Sequence, residues 1–416
     1  MTPLERLFAL EQFGIKLGLE NIRTLLDALG RPQDAWRSVH IAGTNGKGSV
    51  AAMVERGLRA AGLHTGRYTS PHLSAIEERV ALDGVPVDPA TFAGVTADVL
   101  AVMDTCIQTG ALTVSPTFFE VSTAIAFEIF RRAKVDVAVV EVGLGGRFDA
   151  TNILTPEVTA ITTIAFDHER HLGHTLAAIA YEKAGIAKRD VPLIVGRVPP
   201  EAADKIRQVA GEAGAAVIDA HATTTDRVYP PLKLALPGRH QLENAAVAVS
   251  ILETWSAMVS RISTEAIVTG LTECEWPARL EWIRLPGGAK VLIDAAHNPS
   301  GALALADYLR DAAVAPLPIV FAVMADKDVD GMIAALAPVA SMFVATTVPH
   351  KRAKPAAALA DVIRRIAPAA IVEVEESPEA AVARAVAGHE RAVAAGSIFL
   401  IGPLRARLLA SRTEPA

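Results

Sequence analysis

At 416 residues, 51% of them hydrophobic, the chain is too long for one ordinary core, and two or three domains are expected. A formal charge of -6 supplies no overall basic field for gathering nucleic acid, so no nucleic-acid partner is expected. The two cysteines, Cys106 and Cys274, lie far apart without CxxC spacing, which argues against a disulfide framework or a zinc site and for two buried small hydrophobes in a reducing compartment.

The N-terminal run MTPLERLFAL mixes acidic and basic residues and lacks an apolar signal core. No uncharged apolar run reaches membrane-spanning length, and a cytoplasmic protein without a membrane partner is expected. A strand-like stretch at 36–42 leads into GTNGKGS at 43–49 and then a helical run at 50–61. That order places a glycine-rich turn at a helix N-terminus, where backbone N–H groups freed by Gly43, Gly46 and Gly48 can face a nucleotide phosphate and Lys47 adds a full charge. The spacing departs from GxxxxGK[ST], because Gly48 separates Lys47 from Ser49.

Farther along, 117–132 carries apolar residues at helical spacing, and 301–310 follows Asn298, Pro299 and Ser300, a cap-and-entry sequence for another helix. Apolar runs at 135–142, 158–164, 191–195, 290–294, 319–323, 342–346 and 397–401 read as strands alternating with helices. The fold class is therefore α/β: a P-loop type, mostly parallel sheet covered by helices, with a smaller Rossmann-like α/β domain after it. The Pro/Gly turn LPGGA at 285–289 is the expected break and hinge, dividing the chain into 1–285 and 286–416.

Ligands in open parallel sheets sit at the carboxyl ends of strands. Four such ends carry polar residues: the 43–49 loop, Ser70 in YTSPHL, Glu141 in VVEV ahead of Gly143, Gly145 and Gly146, and Asp167-His168 after Phe166. A carboxylate in an apolar strand is costly unless it meets a cation, which makes Glu141 the first candidate Mg²⁺ ligand; pairing with Arg147 or capping a helix is the plain alternative. For His168, HxxHxxH with His171 and His174 leaves a transition-metal cluster open beside a magnesium role, while His171 and His174 read better as surface residues near Gly173.

The ordered set GTNGKGS, TSPHL, ERV at 78–80, EVGLGGRFDATN at 141–152, DH at 167–168, EKAGI at 182–186, WPARLE at 276–281 and DAAHNP at 294–299 resembles the folylpolyglutamate synthase and dihydrofolate synthase family, part of the Mur ligase superfamily of ATP-dependent amide ligases. The resemblance implies an ATP-binding first domain that also holds folate or pteroate, and a C-terminal glutamate-ligase domain. ATP would be held by Gly43, Thr44, Asn45, Gly46, Lys47, Gly48, Ser49, Asn244, Arg279 and Asp294. Magnesium would be held by Ser49, Ser70, Glu141, His168 and Lys183, with Lys183 matching a lysine that relatives carry as a carbamate; a surface ion pair with Glu182 is its plain alternative.

Thr117, Glu120, Phe148 and Asp149 align with positions that cradle pteroate or folate, and IKLGLE at 15–20 resembles a dihydropteroate loop in which Lys16 replaces an acidic residue. Gly402-Pro403-Leu404 stands where relatives often have Gly-Ser. The implied reaction adds L-glutamate to dihydropteroate or to folate through an acyl phosphate, with Lys47, Lys183, Arg279, Asp294 and His297 as the catalytic set. His297 is the expected base, oriented by Asp294, although it could instead cap the following helix. A monomer is implied. A Mur-type ligase for a peptidoglycan precursor and a nucleotide-binding module without ligase activity are the competing readings.

Overall fold

Residues RSVHIA form β1 (Arg37–Ala42), one exposed position followed by five buried ones, the pattern of a strand covered on both faces. The structure, a computed structural model, describes residues 1–14, 18–220 and 232–411, so Ile15, Lys16 and Leu17 of the expected dihydropteroate loop lie outside the described residues. Tertiary contacts divide the chain into two units, the first comprising Met1–Ala165, Glu169–Ala235 and Glu243–Cys274, the second Phe166–His168, Leu236–Leu242 and Glu275–Ala416.

In the first unit, α1 (Pro3–Ala9) and α2 (Glu20–Ala28) precede β1. After it come α3 (Lys47–Ala60), β2 (Thr65–Tyr68), β3 (Val80–Leu82), β4 (Val85–Pro86), α4 (Pro89–Gln108), α5 (Phe118–Ala133), β5 (Val137–Glu141) and β6 (Val158–Ile161). Then follow α6 (Glu169–Leu172), α7 (Leu176–Ala184), β7 (Leu193–Val195), α8 (Pro200–Ala213), β8 (Val217–Asp219), α9 (His240–Met258) and α10 (Thr264–Thr272). Among the described residues the strands lie in the order β4-β3-β2-β5-β1-β6-β7-β8, parallel from β2 to β8 and antiparallel at β3 and β4.

β1 sits between β5 and β6, with Ile41 opposite both Glu141 and Ala160. The chain leaves β1 toward β2 on one side and leaves β6 toward β7 on the other, so the connections diverge at the carboxyl end of β1, the place where open sheets carry ligands. Below it, Trp36 packs edge-on to Phe127 and Phe130 at 5.2 and 5.6 Å, pairs worth about 0.5–1.5 kcal/mol each beyond the area they bury. α4 is long and apolar enough to cross a membrane. Its Phe92, Val95, Val99 and Met103 are instead buried in this core, while Asp98 and Asp104 pair outward with Arg132 and Arg6. Cys106 and Cys274 are both buried, and neither is in a disulfide.

The second unit contains β9 (Glu281–Arg284), β10 (Lys290–Ile293), α11 (Pro299–Asp311), β11 (Leu317–Phe321), α12 (Val329–Leu336) and β12 (Ala340–Ala345). It continues with α13 (Ala356–Ile366), β13 (Ile371–Val374), α14 (Pro378–Val386), β14 (Arg391–Ala395) and α15 (Ile398–Ala410). Its sheet runs β13-β12-β11-β14-β10-β9, parallel except for β9.

Two expectations change here. LPGGA is the turn of the β9–β10 hairpin, closed by Leu285 N–H to Ala289 O at 2.8 Å, so it lies within one sheet and the boundary between units falls earlier, at Cys274. Residues 397–401 are helical: left-handed Gly396 stops β14, the Ser397 hydroxyl accepts from Phe399 N–H, and the apolar run becomes the first turn of α15. A short apolar run satisfies either period, and the cap decides it.

Candidate active site

The 43–49 loop turns sharply at two glycines. Gly43 has φ +147°, and a Cβ there would stand 1.9 Å from the Thr162 hydroxyl; Gly46 has φ +86°, and a Cβ would stand 2.2 Å from Asn244 Oδ1. A side chain fits at neither position, and Gly46 is the N-cap of α3. The loop is tied to the end of β6 by Thr44 N–H to Thr163 O at 2.8 Å and by the Thr162 hydroxyl donating to Asn45 O at 2.5 Å. Ser49 is buried in the first turn of α3, and the packing of Gly46 brings Asn244, on α9, to the same loop.

Two ammonium groups meet at one backbone oxygen: Lys47 Nζ donates to Gly43 O at 3.1 Å and Lys183 Nζ donates to it at 3.0 Å. Lys47 also lies 3.7 Å from Glu141 Oε1, and Ser70 N–H reaches Glu141 Oε2 at 3.4 Å. Gly43, Gly46, Lys47, Ser49, Ser70, Glu141, Lys183 and Asn244 are thus brought into one unit around one loop. Arg147 and Glu182, the partners that the plain alternatives would give to Glu141 and Lys183, pair with each other at 2.7 Å.

A cation beside this loop would find the carboxylate of Glu141 and the hydroxyls of Ser49 and Ser70, an oxygen set suited to magnesium, which binds through one or two carboxylates and keeps its remaining places for water and phosphate. No grouping of three His, Cys, Asp or Glu side chains able to hold a metal occurs among the described residues, which removes the HxxHxxH cluster. His174 is exposed beside Glu169, and His171 is exposed on α6.

The proposed folate residues are placed differently from one another. Thr117 and Glu120 form the capping box of α5: Glu120 Oε2 accepts from the Thr117 N–H and hydroxyl at 2.8 and 2.9 Å, and Thr117 Oγ1 accepts from Glu120 N–H. Asp149 is buried inside its own loop, accepting from Leu144 N–H at 2.8 Å, from Thr151 N–H at 3.0 Å and from the Thr151 hydroxyl. Burial pushes the Asp149 carboxyl up, against the pull of those donors. The Thr151 hydroxyl also meets His40 Nε2 at 2.8 Å, within β1, and burial pushes His40 down to about 3. In this structure Thr117, Glu120 and Asp149 therefore shape backbone, and Phe148, 36% exposed beneath the Arg147 guanidinium at 4.3 Å, is the member of the four that presents a free face.

In the second unit, Arg279 stands between Ala278 at φ +58° and Leu280 at φ +51°. Left-handed backbone costs a non-glycine residue roughly 1–2 kcal/mol, so this segment is held by its surroundings. Asp294 supplies part of the hold, accepting from Leu280 N–H and Ala296 N–H at 2.9 Å each. Burial pushes the Asp294 carboxyl up, opposed by the Arg279 guanidinium and those amides.

His297 is not oriented by Asp294. Its Nδ1 donates to Ala295 O at 2.9 Å and its Nε2 lies 3.5 Å from Asp167 Oδ2. A carbonyl and a carboxylate both only accept, so Nδ1–H donates to Ala295 O, and Nε2 hydrogen-bonds to Asp167 only when it too carries a proton. Nor does His297 cap α11, since the Asn298 side-chain oxygen Oδ1 accepts Gly301 N–H at 2.8 Å. Asp167 also accepts from Lys327 Nζ at 2.6 Å and Asn298 Nδ2 at 3.1 Å. Burial would raise its carboxyl, yet the His297 hydrogen bond, Lys327 and His168 hold it well below the ordinary carboxylate range. His168 falls in this unit at φ +52°.

Sequence reasoning passed over Asp167 as a partner and Lys327 altogether. The signal for Lys327 was ADKD at 325–328, shortly after the apolar parallel strand β11, the same strand-end rule that found Glu141. Gly396–Ser397 stands at the carboxyl end of β14, where a Cβ on Gly396 would meet Ala322 O at 2.3 Å, whereas Gly402-Pro403-Leu404 lies inside α15.

Residues 278–401 match the family model for the Mur ligase, glutamate ligase domain. The dihydrofolate synthase/folylpolyglutamate synthase of Mycobacterium tuberculosis is 39% identical over 374 residues, covering 82% of this chain and 76% of that protein. The M. tuberculosis folylpolyglutamate synthase complexed with ADP superposes with a TM-score of 0.89 at 35% identity, covering 98% of both chains. A bifunctional folylpolyglutamate synthase/dihydrofolate synthase with Mn, AMPPNP and L-glutamate bound superposes with a TM-score of 0.86 at 30% identity, again over 98% of both chains. Identity of this degree, sustained across both units, places the chain in the folylpolyglutamate synthase/dihydrofolate synthase family.

Proposed function

We propose that this chain is a cytoplasmic, monomeric ligase that uses ATP to join L-glutamate to dihydropteroate, to the γ-carboxylate of a folate, or to both. The observation that carries the reading is the convergence of Lys47 and Lys183 on Gly43 O beside Glu141, at a glycine-built helix N-terminus. Two ammonium groups on one oxygen repel unless an anion lies between them or one gives up its charge, and a nucleotide phosphate answers the first condition.

A carboxylate resists nucleophiles, and activation transfers the γ-phosphoryl group of ATP to one of its oxygens, leaving ADP and an acyl phosphate. Lys47 on the phosphates and Arg279 supply positive charge for bringing these anions together. Magnesium would neutralise phosphate charge when bound, with Glu141, Ser70 and Ser49 as its ligands around the loop; His168 is carried over as a ligand from the family resemblance alone. Loss of one proton from the Lys183 ammonium, then addition of CO₂ to the neutral Nζ with loss of a second proton, converts it into a carbamate anion that suits the same cation and removes the lysine–lysine repulsion.

The amine of glutamate then attacks the acyl carbonyl, phosphate leaves with its bonding electrons, and an amide forms. The amine must first lose a proton, and His297 Nε2 is the basic nitrogen available, with Asp167 placed to stabilise the imidazolium. Phe148 offers an apolar face for the pterin ring. The test is ADP release from the purified protein with ATP, Mg²⁺ and glutamate. Stimulation by dihydropteroate or tetrahydrofolate supports the reading; stimulation by a UDP-sugar peptidoglycan precursor instead, or release independent of glutamate, refutes it.

A further inference from the structure

Arg279 projects from a backbone segment that its own sequence does not favour. Ala278 and Leu280 on either side both hold positive φ, and their side chains are buried, so neither can relax outward. The conformation is fixed by two carboxylates on adjacent strands. Glu281 opens β9 and Asp294 follows the end of β10, and the antiparallel register sets Glu281 opposite Ile293. Asp294 takes Leu280 N–H and Glu281 Oε2 takes Ala278 N–H, both at 2.9 Å, so the three-residue arch is gripped at both ends. Ala278 O is used as well, accepting from Ala295 N–H at 3.2 Å and from Arg279 Nη1 at 3.0 Å.

Glu281 is in turn gripped by Arg405, one helix away on α15: Arg405 Nε donates to Oε2 at 2.8 Å and Nη2 donates to Oε1 at 3.0 Å. The fork-on-carboxylate geometry fixes the plane of the carboxylate as well as its charge, which a lone ammonium does not. Both side chains are 27% exposed, sheltered enough for the pair to hold one geometry. Burial would raise the Glu281 carboxyl, but Arg405 and the Ala278 amide hold it below its ordinary range, so it stays an acceptor at neutral pH.

We propose that Arg405 is a positioning residue for Arg279, acting through Glu281 and the Ala278 amide to keep the arch in the conformation that aims the Arg279 guanidinium. The inference rests on the reading of Arg279 as an ATP-facing residue. Its consequence is that a residue on the last helix controls the enzyme's use of nucleotide without touching it.

The test compares wild type, Arg405→Met, Arg405→Lys, Glu281→Gln, Arg279→Ala and the double variant Arg279→Ala/Arg405→Met, measuring KM for ATP, KM for glutamate, kcat and the melting temperature of each. Loss of aim is expected to raise KM for ATP about tenfold in Arg405→Met and Glu281→Gln, with glutamate KM little changed and Arg405→Lys intermediate. In the Arg279→Ala background the same Arg405→Met change is expected to do almost nothing further to KM for ATP. An Arg405→Met protein that melts lower but keeps wild-type KM for ATP overturns the proposal, as does an equal rise in both backgrounds. Should Arg279→Ala itself keep wild-type KM for ATP, the nucleotide reading of Arg279 fails first; an impaired Arg279→Ala beside a silent Arg405→Met sinks the coupling alone.

Discussion

Gly46→Ala puts the phosphate-loop geometry under a direct test. Alanine must adopt φ +86°, which costs roughly 1–2 kcal/mol in left-handed backbone. Its Cβ would also stand 2.2 Å from Oδ1 and 3.1 Å from Cγ of Asn244, a nearly fully buried side chain whose displacement sacrifices hydrogen bonding worth about 1–3 kcal/mol. Together the loss is about 2–5 kcal/mol, and at roughly 2–4 °C per kcal/mol for a domain of this size the melting temperature should fall by about 4–20 °C. Because Asn244 and the loop amides are displaced together, KM for ATP should rise by about tenfold or more. The assays are thermal denaturation and ATP titration of turnover on Gly46→Ala, Asn244→Ala and the double variant. Removing the Asn244 side chain relieves the collision, so the double variant should melt higher than the sum of the two single losses predicts. Strict additivity, or a Gly46→Ala protein indistinguishable from wild type, would refute the claim that this glycine exists to let Asn244 reach the loop.

Glu141→Gln keeps shape and removes charge, and should lower kcat by roughly 100-fold or more while leaving the melting temperature nearly unchanged; an active variant would remove Glu141 from the cation site. Lys183→Ala should lose roughly 10–100-fold in turnover, and added formate should restore part of it by standing in for the carbamate anion, whereas rescue by methylamine alone would show that the ammonium is the working form. Acid stability should track His40: burial lowers its folded pKa to about 3, so between its unfolded value of about 6.5 and 3 the unfolded chain binds the extra proton. Stability should therefore fall as pH drops through that window, and His40→Gln should flatten the fall when melting temperature is followed against pH. Asp167 works lower on the scale, since its depressed pKa gives stability present above about pH 4 and lost below it; Asp167→Asn should abolish that part of the acid slope.

The strand-end rule read much of the first unit from sequence because each element there is local. GTNGKGS follows its strand and runs into its helix within a dozen residues, and VVEV carries its carboxylate at the end of an apolar run. The capping boxes were equally visible as letters, yet Thr117 and Glu120 also matched a binding motif, and only their mutual hydrogen bonds show how they are spent. The misread strand at 397–401 failed for the opposite reason. Its composition suits a strand, and the left-handed Gly396 with the Ser397 cap overrides it.

Sequence by itself determined the α/β alternation, the glycine-rich loop at a helix N-terminus, and the lysine and strand-end carboxylate that stand beside it, because backbone period and helix-terminus electrostatics act over a few residues. Tertiary structure alone decided which groups share an oxygen, as with Lys47 and Lys183 on Gly43, which carboxylate faces His297, and how Arg405 comes to grip Glu281. Those pairings join residues 124 to 140 positions apart, and such separations are closed by sheet order and helix packing, which no local pattern encodes.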